Sequence, residues 1–157
     1  MAKEIERKFL VASDAWRTGA RGVPYRQGYL DTGAGCTVRV RVAGERAFLT
    51  IKGPPQGAVR DEYEYPIPVA DAEELLGRLC SGGCIEKVRH RVTHAGRVWE
   101  VDEFEGANAG LVLAEVELEH PDAEVALPSW LGTEVTGDPR YTNAALARHP
   151  RTAWSAP

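Results

Sequence analysis

Residues 4–9 read Glu4-Ile5-Glu6-Arg7-Lys8-Phe9, a short segment in which charged and apolar side chains alternate. The side chains of an extended strand point to opposite faces with a period of two. Glu4, Glu6 and Lys8 therefore share one face, while Ile5 and Phe9 share the other. Taken alone, the segment is typical of an ordinary strand with its charges in water and its apolar residues in the core.

The same alternation recurs along the chain, and each charged face carries largely one sign. The basic faces hold Arg39 and Arg41, then Thr50 and Lys52, then Lys87, Arg89 and Arg91; the acidic faces hold Glu62 and Glu64, then Glu100 and Asp102, then Glu115, Glu117 and Glu119. A sheet facing water would replace many of these charges with Thr, Ser, Gln or Asn. A second arrangement therefore competes with the ordinary one: the sheet closes with its charged faces inward.

A charged interior restricts what the interior can contain, because each unpaired buried ion costs several kcal/mol even after relaxation. The interior must be wet, cross-paired, or occupied by a ligand that satisfies both signs of charge. A metal-bound polyphosphate does so, since carboxylates bind Mg²⁺ or Mn²⁺ while Arg and Lys bind phosphate oxygens. The sequence contains no G-x-x-x-x-G-K-[ST] phosphate loop, so side chains would have to hold the phosphates.

About eight strands joined by short turns are predicted, which indicates antiparallel pairing and closure into a barrel or sandwich. The predicted strands are 4–9, 25–30, 37–42, 47–52, 59–65, 85–93, 97–104 and 111–119. Asp71 and Glu74 predict a capping box for a helix that ends at Gly82-Gly83. Thr142 is predicted to cap a helix over 143–148, and short helical turns are predicted near Trp16 and over 128–131.

The chain of 157 residues is predicted to form one domain over 1–150, followed by a frayed tail over 151–157. A net charge of -4 gives no general attraction to nucleic acid. Three cysteines cannot all pair, and neither a secretory signal nor an apolar run of roughly 18 residues is visible. We therefore expect a cytoplasmic protein with no membrane partner, either a monomer or a homodimer.

The charged segments resemble the CYTH family, also called triphosphate tunnel metalloenzymes. The family signature E-x-E-x-K is present as Glu4-Ile5-Glu6-Arg7-Lys8. The resemblance continues through residues 27–30, 38–41, 50–52, 62–64, 87–89, 99–104, 114–118 and 135–143, which together span nearly the whole chain. It implies an α+β fold in which an eight-stranded antiparallel β-barrel, the triphosphate tunnel, carries a few flanking helices.

The resemblance also implies roles for individual residues. The candidates for binding metal or orienting its water are Glu4, Glu6, Glu62, Glu64, Asp102, Glu115 and Glu117, of which Glu4, Glu6, Glu115 and Glu117 are the expected direct ligands of Mg²⁺ or Mn²⁺. The candidates for holding the phosphates are Lys8, Arg39, Arg41, Lys52, Lys87 and Arg89. Lys8 and Tyr29 are the catalytic candidates near the reacting phosphate. Carboxylates beside Lys8 favour a charged ammonium, which acts as an acid or electrostatically rather than as a base.

The implied activity is metal-dependent hydrolysis of inorganic triphosphate (tripolyphosphate) to pyrophosphate and phosphate. The short chain favours this small substrate, because little sequence is left to build a nucleobase pocket. A class IV adenylate cyclase and a thiamine triphosphatase are alternatives on the same scaffold. A non-enzymatic polyphosphate-binding module is a further alternative, but it would not need the acidic residues, all of which are present.

Overall fold

The computed structural model describes residues 3–33 and 35–154, and in this part of the chain the strands and helices follow one another with short connections. The strands are β1 (Lys3–Val11), β2 (Arg21–Leu30), β3 (Thr37–Ala43), β4 (Arg46–Lys52), β5 (Val59–Ile67), β6 (Cys84–His94), β7 (Arg97–Phe104), β8 (Val112–Glu117) and β9 (Leu131–Glu134). The α-helices are α1 (Val69–Arg78) and α2 (Asn143–Arg148), and 3₁₀ turns occur at Ala15–Arg17, Gly106–Asn108, Pro139–Tyr141 and Arg151–Ala153.

The strands form a closed antiparallel barrel. Neighbouring strands follow the order β5-β4-β3-β2-β6-β7-β8-β1, and a further pairing of β1 with β5 closes the ring. Strand β9 lies outside the ring and pairs with the end of β1. The predicted eight-stranded barrel with a few flanking helices is therefore confirmed, with one additional strand.

Strand β1, which contains the opening charged motif, closes the barrel by pairing with three strands. Its first residues, 3–5, pair with β5, and residues 6–10 pair with β8. Phe9 and Val11 pair with β9 on the edge that β5 has left free. Because β1 joins the first and last strands of the ring, its side-chain alternation sets which face of the closing seam points inward.

The apolar strand faces point outward and are covered by the rest of the chain. Around β1, β7 and β8, the outer cluster contains Phe9, Trp99 and Val116, and it is covered by Trp16 and Trp130. On the opposite side of the barrel, α1 packs its apolar side on β3 and β4, where Ala72, Leu75 and Leu76 meet Val40, Val42 and Ala47. The arrangement with charges inward is therefore the one adopted.

One end of the barrel is filled by apolar side chains. Ile85, Phe104 and Leu113 are buried together with the ring of Tyr29, and Leu146 of α2 packs over them. The segment 138–143 leads directly into this helix. The C-terminal segment therefore covers this end of the barrel, and the polar part of the interior lies beyond the apolar cluster.

Two predicted elements differ from those observed because strand pairing extends beyond the local pattern. Strand β2 begins at Arg21 rather than at 25, since residues 21–24 pair with 88–91 of β6 despite containing Gly22 and Pro24. The predicted helical turn over 128–131 is wrong: the chain makes a plain turn at 129–130, and β9 begins at Leu131. The four residues of β9, which include Gly132, show little strand pattern in the sequence. Their extended conformation depends on pairing with β1.

The predicted helix caps had different outcomes. Helix α1 begins at Val69 after Pro68, and Asp71 lies inside its first turn without a capping hydrogen bond from a side chain, so the capping box is wrong. For α2 the prediction is confirmed, since Oγ1 of Thr142 accepts a hydrogen bond from the backbone N–H of Ala145. Neither helix in the described part of the chain has the length and hydropathy needed to cross a bilayer.

The predicted frayed tail lies partly outside the described residues, which end at 154. Residues 151–153 form a 3₁₀ turn, and the ring of Trp154 packs edge-on against Tyr141 at 5.3 Å between centroids. The tail therefore contacts the segment that leads into α2.

We expect Gly83→Ala to lower the free energy of unfolding by about 2–4 kcal/mol, measured by urea denaturation. Gly83 has a φ of 99°, and a Cβ there would lie 2.4 Å from the carbonyl oxygen of Ala147 in α2. The matched control is Gly19→Ala, which has a φ of 74° but open space around it, and which should cost only about 1 kcal/mol. Equal losses in the two variants would contradict a close contact between Gly83 and α2.

Candidate active site

The interior of the barrel contains a cavity of about 540 Å³ lined by the charged strand faces. It brings together nearly all the predicted site residues from β1 to β8. Those that line it are Glu4, Glu6, Lys8, Tyr29, Arg39, Arg41, Lys52, Glu62, Glu64, Lys87, Arg89, Glu115 and Glu117. The exception is Asp102, which shares the inward face of β7 with the lining residue Glu100 but is fully buried beneath Lys87 and Arg89.

On the acidic side of the cavity, carboxylates occupy directly paired positions of neighbouring strands. Glu6 lies directly opposite Glu117 where β1 pairs with β8, and Glu100 lies opposite Glu115 where β7 pairs with β8. Like charges at directly opposed positions of an antiparallel pair are destabilising. On the inward face of this seam Lys8 lies opposite Glu115, with its Nζ 3.7 Å from the carboxylate. The acidic side therefore holds more negative charge than its own neighbours neutralise.

The pKa values of the acidic side chains reflect this excess. Burial, together with the neighbouring Glu115 and Glu4, raises the pKa of Glu6 well above its usual range. Burial and a hydrogen bond to Glu4 raise the pKa of Glu62 to about 7, and burial with the charge of Glu4 raises the pKa of Glu117. For Glu4 itself burial acts upward, but hydrogen bonds from Glu62 and the charge of Lys52 lower its pKa.

This group of carboxylates fits a hard divalent cation. All donors are oxygens, as Mg²⁺ and Mn²⁺ prefer, and Oε1 of Glu4 is buried without a hydrogen-bond partner in the described structure. Within residues 3–33 and 35–154, no three acidic, His or Cys side chains already stand close enough together to hold a metal ion. Glu4, Glu6, Glu115 and Glu117 are the carboxylates that would hold such an ion, and it would offset their mutual repulsion.

The basic side of the cavity is mostly cross-paired. Lys52 reaches Glu4 at 2.6 Å and Glu62 at 3.3 Å. The guanidinium of Arg39 donates to Oε2 of Glu64 at 3.2 Å and to the hydroxyl of Thr50 at 3.1 Å. These pairs offset the cost of placing the charges inside the barrel.

Arg41 differs from its neighbours because no carboxylate of the described residues forms a salt bridge with it. Its Nε donates instead to the amide oxygen of Gln27 at 2.8 Å. Burial and the positive charges of Arg39 and Arg89 lower the pKa of Arg41 to about 10. Because the guanidinium of Arg41 lines the cavity and is repelled by two others, an anionic ligand would be stabilised beside it.

Asp102 forms buried ion pairs with two of the predicted phosphate-binding cations, Lys87 and Arg89. Its side chain is 0% exposed, and it accepts hydrogen bonds from Lys87 at 2.7 Å and from two nitrogens of Arg89 at 2.8 and 2.9 Å. Against the effect of burial, these two cations lower the pKa of Asp102 and keep it ionised. The structure thus places Asp102 apart from the carboxylates with which it was grouped, as a support for Lys87 and Arg89.

The two catalytic candidates meet the cavity near its filled end. Nζ of Lys8 donates to the backbone carbonyl of Tyr141 at 3.0 Å. Burial acts to lower the pKa of Lys8, but the charges of Glu115 and Glu6 outweigh it and raise that pKa, so the ammonium form expected from the sequence persists. The hydroxyl oxygen of Tyr29, which is 3% exposed, accepts a hydrogen bond from Nε2 of Gln27 at 2.8 Å.

Four residues that the sequence analysis did not select also contribute to the cavity or its wall: Tyr25, Gln27, Arg60 and Asn143. Arg60 shares an inward face with Glu62 by the same period of two, and its Nε donates to the carbonyl of Gly53. That period would also have found Tyr25 and Gln27 from Tyr29. Asn143 reaches the cavity from the start of α2, and no local pattern identifies it.

The chain is similar to known proteins over nearly its whole length. The CYTH domain family model matches residues 2–145. An inorganic triphosphatase of Acetivibrio thermocellus is 51% identical over 150 residues, with 96% of each chain covered, and an inorganic triphosphatase of Nitrosomonas europaea is 42% identical over 149 residues, with 92% of this chain and 96% of that one covered. A solved crystal structure of an inorganic triphosphatase has a TM-score of 0.68 and 40% identity, covering 94% of this chain and 96% of the other.

We expect Asp102→Asn to lower the free energy of unfolding by about 3–5 kcal/mol, because it leaves two buried cations without their counter-charge. Urea denaturation measures the loss. The control is Glu119→Gln, which removes the carboxylate of an ion pair with Arg97 on a side chain that is 70% exposed. That change should leave the unfolding midpoint nearly as it was, because exposed pairs contribute little. A small effect at Asp102 would show that Lys87 and Arg89 are stable without it.

Proposed function

The chain belongs to the CYTH domain family, and on that basis we propose that it hydrolyses inorganic triphosphate to pyrophosphate and phosphate inside the barrel. The observation that carries the proposal is Arg41, a cavity guanidinium with no carboxylate partner among the described residues. The names of the two relatives, both above 40% identity and nearly full length, support the same activity.

The basic side chains of β3, β4 and β6 are proposed to bind the phosphate chain. Arg39 and Arg41 project from β3, Lys52 from β4, and Lys87 and Arg89 from β6, all into one cavity. Charge-assisted hydrogen bonds from guanidinium groups to phosphate oxygens are short and strong. Because Arg39 and Lys52 are already paired with carboxylates, triphosphate binding exchanges internal partners for the ligand, whereas Arg41 gains a partner that it lacks.

The carboxylates Glu4, Glu6, Glu115 and Glu117 are proposed to hold Mg²⁺ or Mn²⁺, with Glu62 and Glu64 supporting the ion or its water. When bound, such an ion offsets phosphate charge and makes a water molecule more nucleophilic. The chain itself contributes the oxygen donors, and Lys8 and Lys52 offset part of their negative charge through ion pairs with Glu115 and Glu4. Dependence on a divalent metal is general for this family, and the choice between the two ions is part of the proposal.

Lys8 and Tyr29 are proposed to act on the reacting phosphate. The raised pKa of Lys8 keeps it an ammonium at neutral pH, so it can stabilise negative charge or donate a proton and is unsuited to act as a base. Tyr29 lines the same cavity, and its hydroxyl is proposed to donate to a phosphate oxygen. Both groups act on charge that grows as the terminal phosphate departs.

The substrate is therefore a small triphosphate, and we propose that the enzyme works in the cytoplasm as a monomer or homodimer. The thiols of Cys36, Cys80 and Cys84 are all free, which agrees with a reducing compartment.

The first test is phosphate release from tripolyphosphate with Mg²⁺ or Mn²⁺, beside ATP, thiamine triphosphate and an EDTA control. We expect metal-dependent release chiefly from tripolyphosphate. Cyclic AMP and pyrophosphate from ATP, without release from tripolyphosphate, would instead identify a cyclase. Binding of tripolyphosphate without turnover of any substrate would identify a polyphosphate-binding module.

Arg41→Ala should weaken tripolyphosphate binding about 10- to 100-fold, because a charged hydrogen bond to the ligand contributes about 1.5–3 kcal/mol. Calorimetric titration of the protein with tripolyphosphate measures the affinity without relying on turnover. The control is Arg78→Ala, at an exposed position in the last turn of α1, which should bind as the unsubstituted protein does. Unchanged affinity in Arg41→Ala would remove the main support for an anion site.

A further inference from the structure

We propose that Gln27 is a positioning residue that aims Arg41 and Tyr29 at the triphosphate while leaving the charge of Arg41 unneutralised. The inference rests on the proposed function and adds to it a residue that does not itself line the cavity. Gln27 is 0% exposed and lies in the wall on strand β2. Its amide group connects residues that do line the cavity.

The side chain of Gln27 uses both ends of its amide. Oε1 accepts from Nε of Arg41 at 2.8 Å, on the neighbouring strand β3. Nε2 donates to the hydroxyl of Tyr29 at 2.8 Å and to Oδ1 of Asn143 at 3.2 Å. A buried amide with this many partners is held in one rotamer, and it holds its partners in turn.

The chemistry of Arg41 decides which way the amide points. A guanidinium has only donors, so the oxygen of Gln27 must face it and the NH₂ group must face the other two partners. The oxygen of Tyr29 then acts as an acceptor toward Gln27, and the hydroxyl proton of Tyr29 must point elsewhere. Since Tyr29 lines the cavity, that proton is available to a phosphate oxygen.

The neutrality of Gln27 matters as much as its shape. Strand β2 lies between the basic strands β3 and β6, and its inward residues are Tyr25, Gln27 and Tyr29, none of which is a carboxylate. The ring of Tyr25 lies 5.0 Å from the guanidinium carbons of both Arg41 and Arg89, where it contacts these cations without neutralising them. A glutamate in the place of Gln27 would fit the same space but would supply the anion that the substrate is meant to supply.

Asn143 extends the arrangement to the second basic strand. Its Oδ1 accepts both from Nε2 of Gln27 and from Nζ of Lys87 at 2.8 Å. Gln27 therefore links Arg41 of β3, through Asn143 at the start of α2, with Lys87 of β6. One neutral amide coordinates groups from both sides of the basic wall.

The test is Gln27→Glu, which keeps the size and shape of the side chain. We expect KM for tripolyphosphate to rise about tenfold or more, because the new carboxylate neutralises Arg41, and kcat to fall about tenfold, because the hydroxyl of Tyr29 turns to donate to that carboxylate. The matched control is Gln56→Glu, the same substitution at an exposed loop position. Its kcat and KM for tripolyphosphate should stay within about twofold of those of the unsubstituted protein.

Double variants distinguish a positioning role of Gln27 from a general loss of native structure. If Gln27 acts through its partners, Gln27→Glu should change kcat little in a Tyr29→Phe background and change KM little in an Arg41→Ala background. Additive losses in both backgrounds, or a Gln27→Glu variant that matches the unsubstituted protein, would overturn the inference. If Gln27→Glu does not fold, Gln27→Asn withdraws the neutral amide by one methylene and weakens its hydrogen bonds to Arg41 and Tyr29. Its effect on kcat should then be small in the Tyr29→Phe background, and its effect on KM should be small in the Arg41→Ala background.

The outcome also distinguishes this inference from the proposed function. If the unsubstituted protein releases no phosphate from any triphosphate, the proposed function fails, and calorimetric binding of tripolyphosphate then tests Gln27 by itself. Weaker binding in Gln27→Glu, with no further loss when Arg41→Ala is added, would still support its role. Equal binding by the unsubstituted protein and Gln27→Glu would reject it.

Discussion

Compensation of charge inside a closed barrel is the constraint on which the rest of this structure depends. Once β1 pairs with both β5 and β8, one face of every strand in the ring must point inward, and here most of those faces are charged. Single ions in such a place would cost several kcal/mol each. The fold tolerates them because acidic and basic side chains lie beside each other on neighbouring strands, as Lys52 of β4 does with Glu62 of β5 and Glu4 of β1.

The compensation is incomplete, and it is incomplete in opposite senses on the two sides. On the acidic side, burial and neighbouring carboxylates raise the pKa values of Glu6 and Glu117. On the basic side, burial and neighbouring cations lower the pKa of Arg41 to about 10 and that of Lys87 to about 7. A cation would relieve one side and a polyanion the other. A metal-bound triphosphate carries both kinds of charge.

Buried groups beneath the cavity lining keep the phosphate-binding cations in place, and they do so by two different means. Asp102 holds Lys87 and Arg89 with a full negative charge, which suits cations whose burial needs compensation. Gln27 holds Arg41 with a neutral amide, which leaves the guanidinium ready for an anion. The carboxylate of Asp102 thus stabilises buried cations, whereas the amide of Gln27 is proposed to preserve the affinity of Arg41 for an anionic ligand.

Side-chain alternation was sufficient to assign the inward face of each main strand, because the period of two is a local property of the extended backbone. It therefore placed Glu4, Arg39 and Glu115 on charged faces and left a barrel or a sandwich open, and the resemblance to a family added the barrel and the expected ligand. Alternation alone could not show that Asp102 pairs with Arg89, that Gln27 lies between Arg41 and Tyr29, or that 131–134 forms a strand. Those facts depend on which strands become neighbours, and neighbours separated by many residues are chosen only when the whole barrel closes.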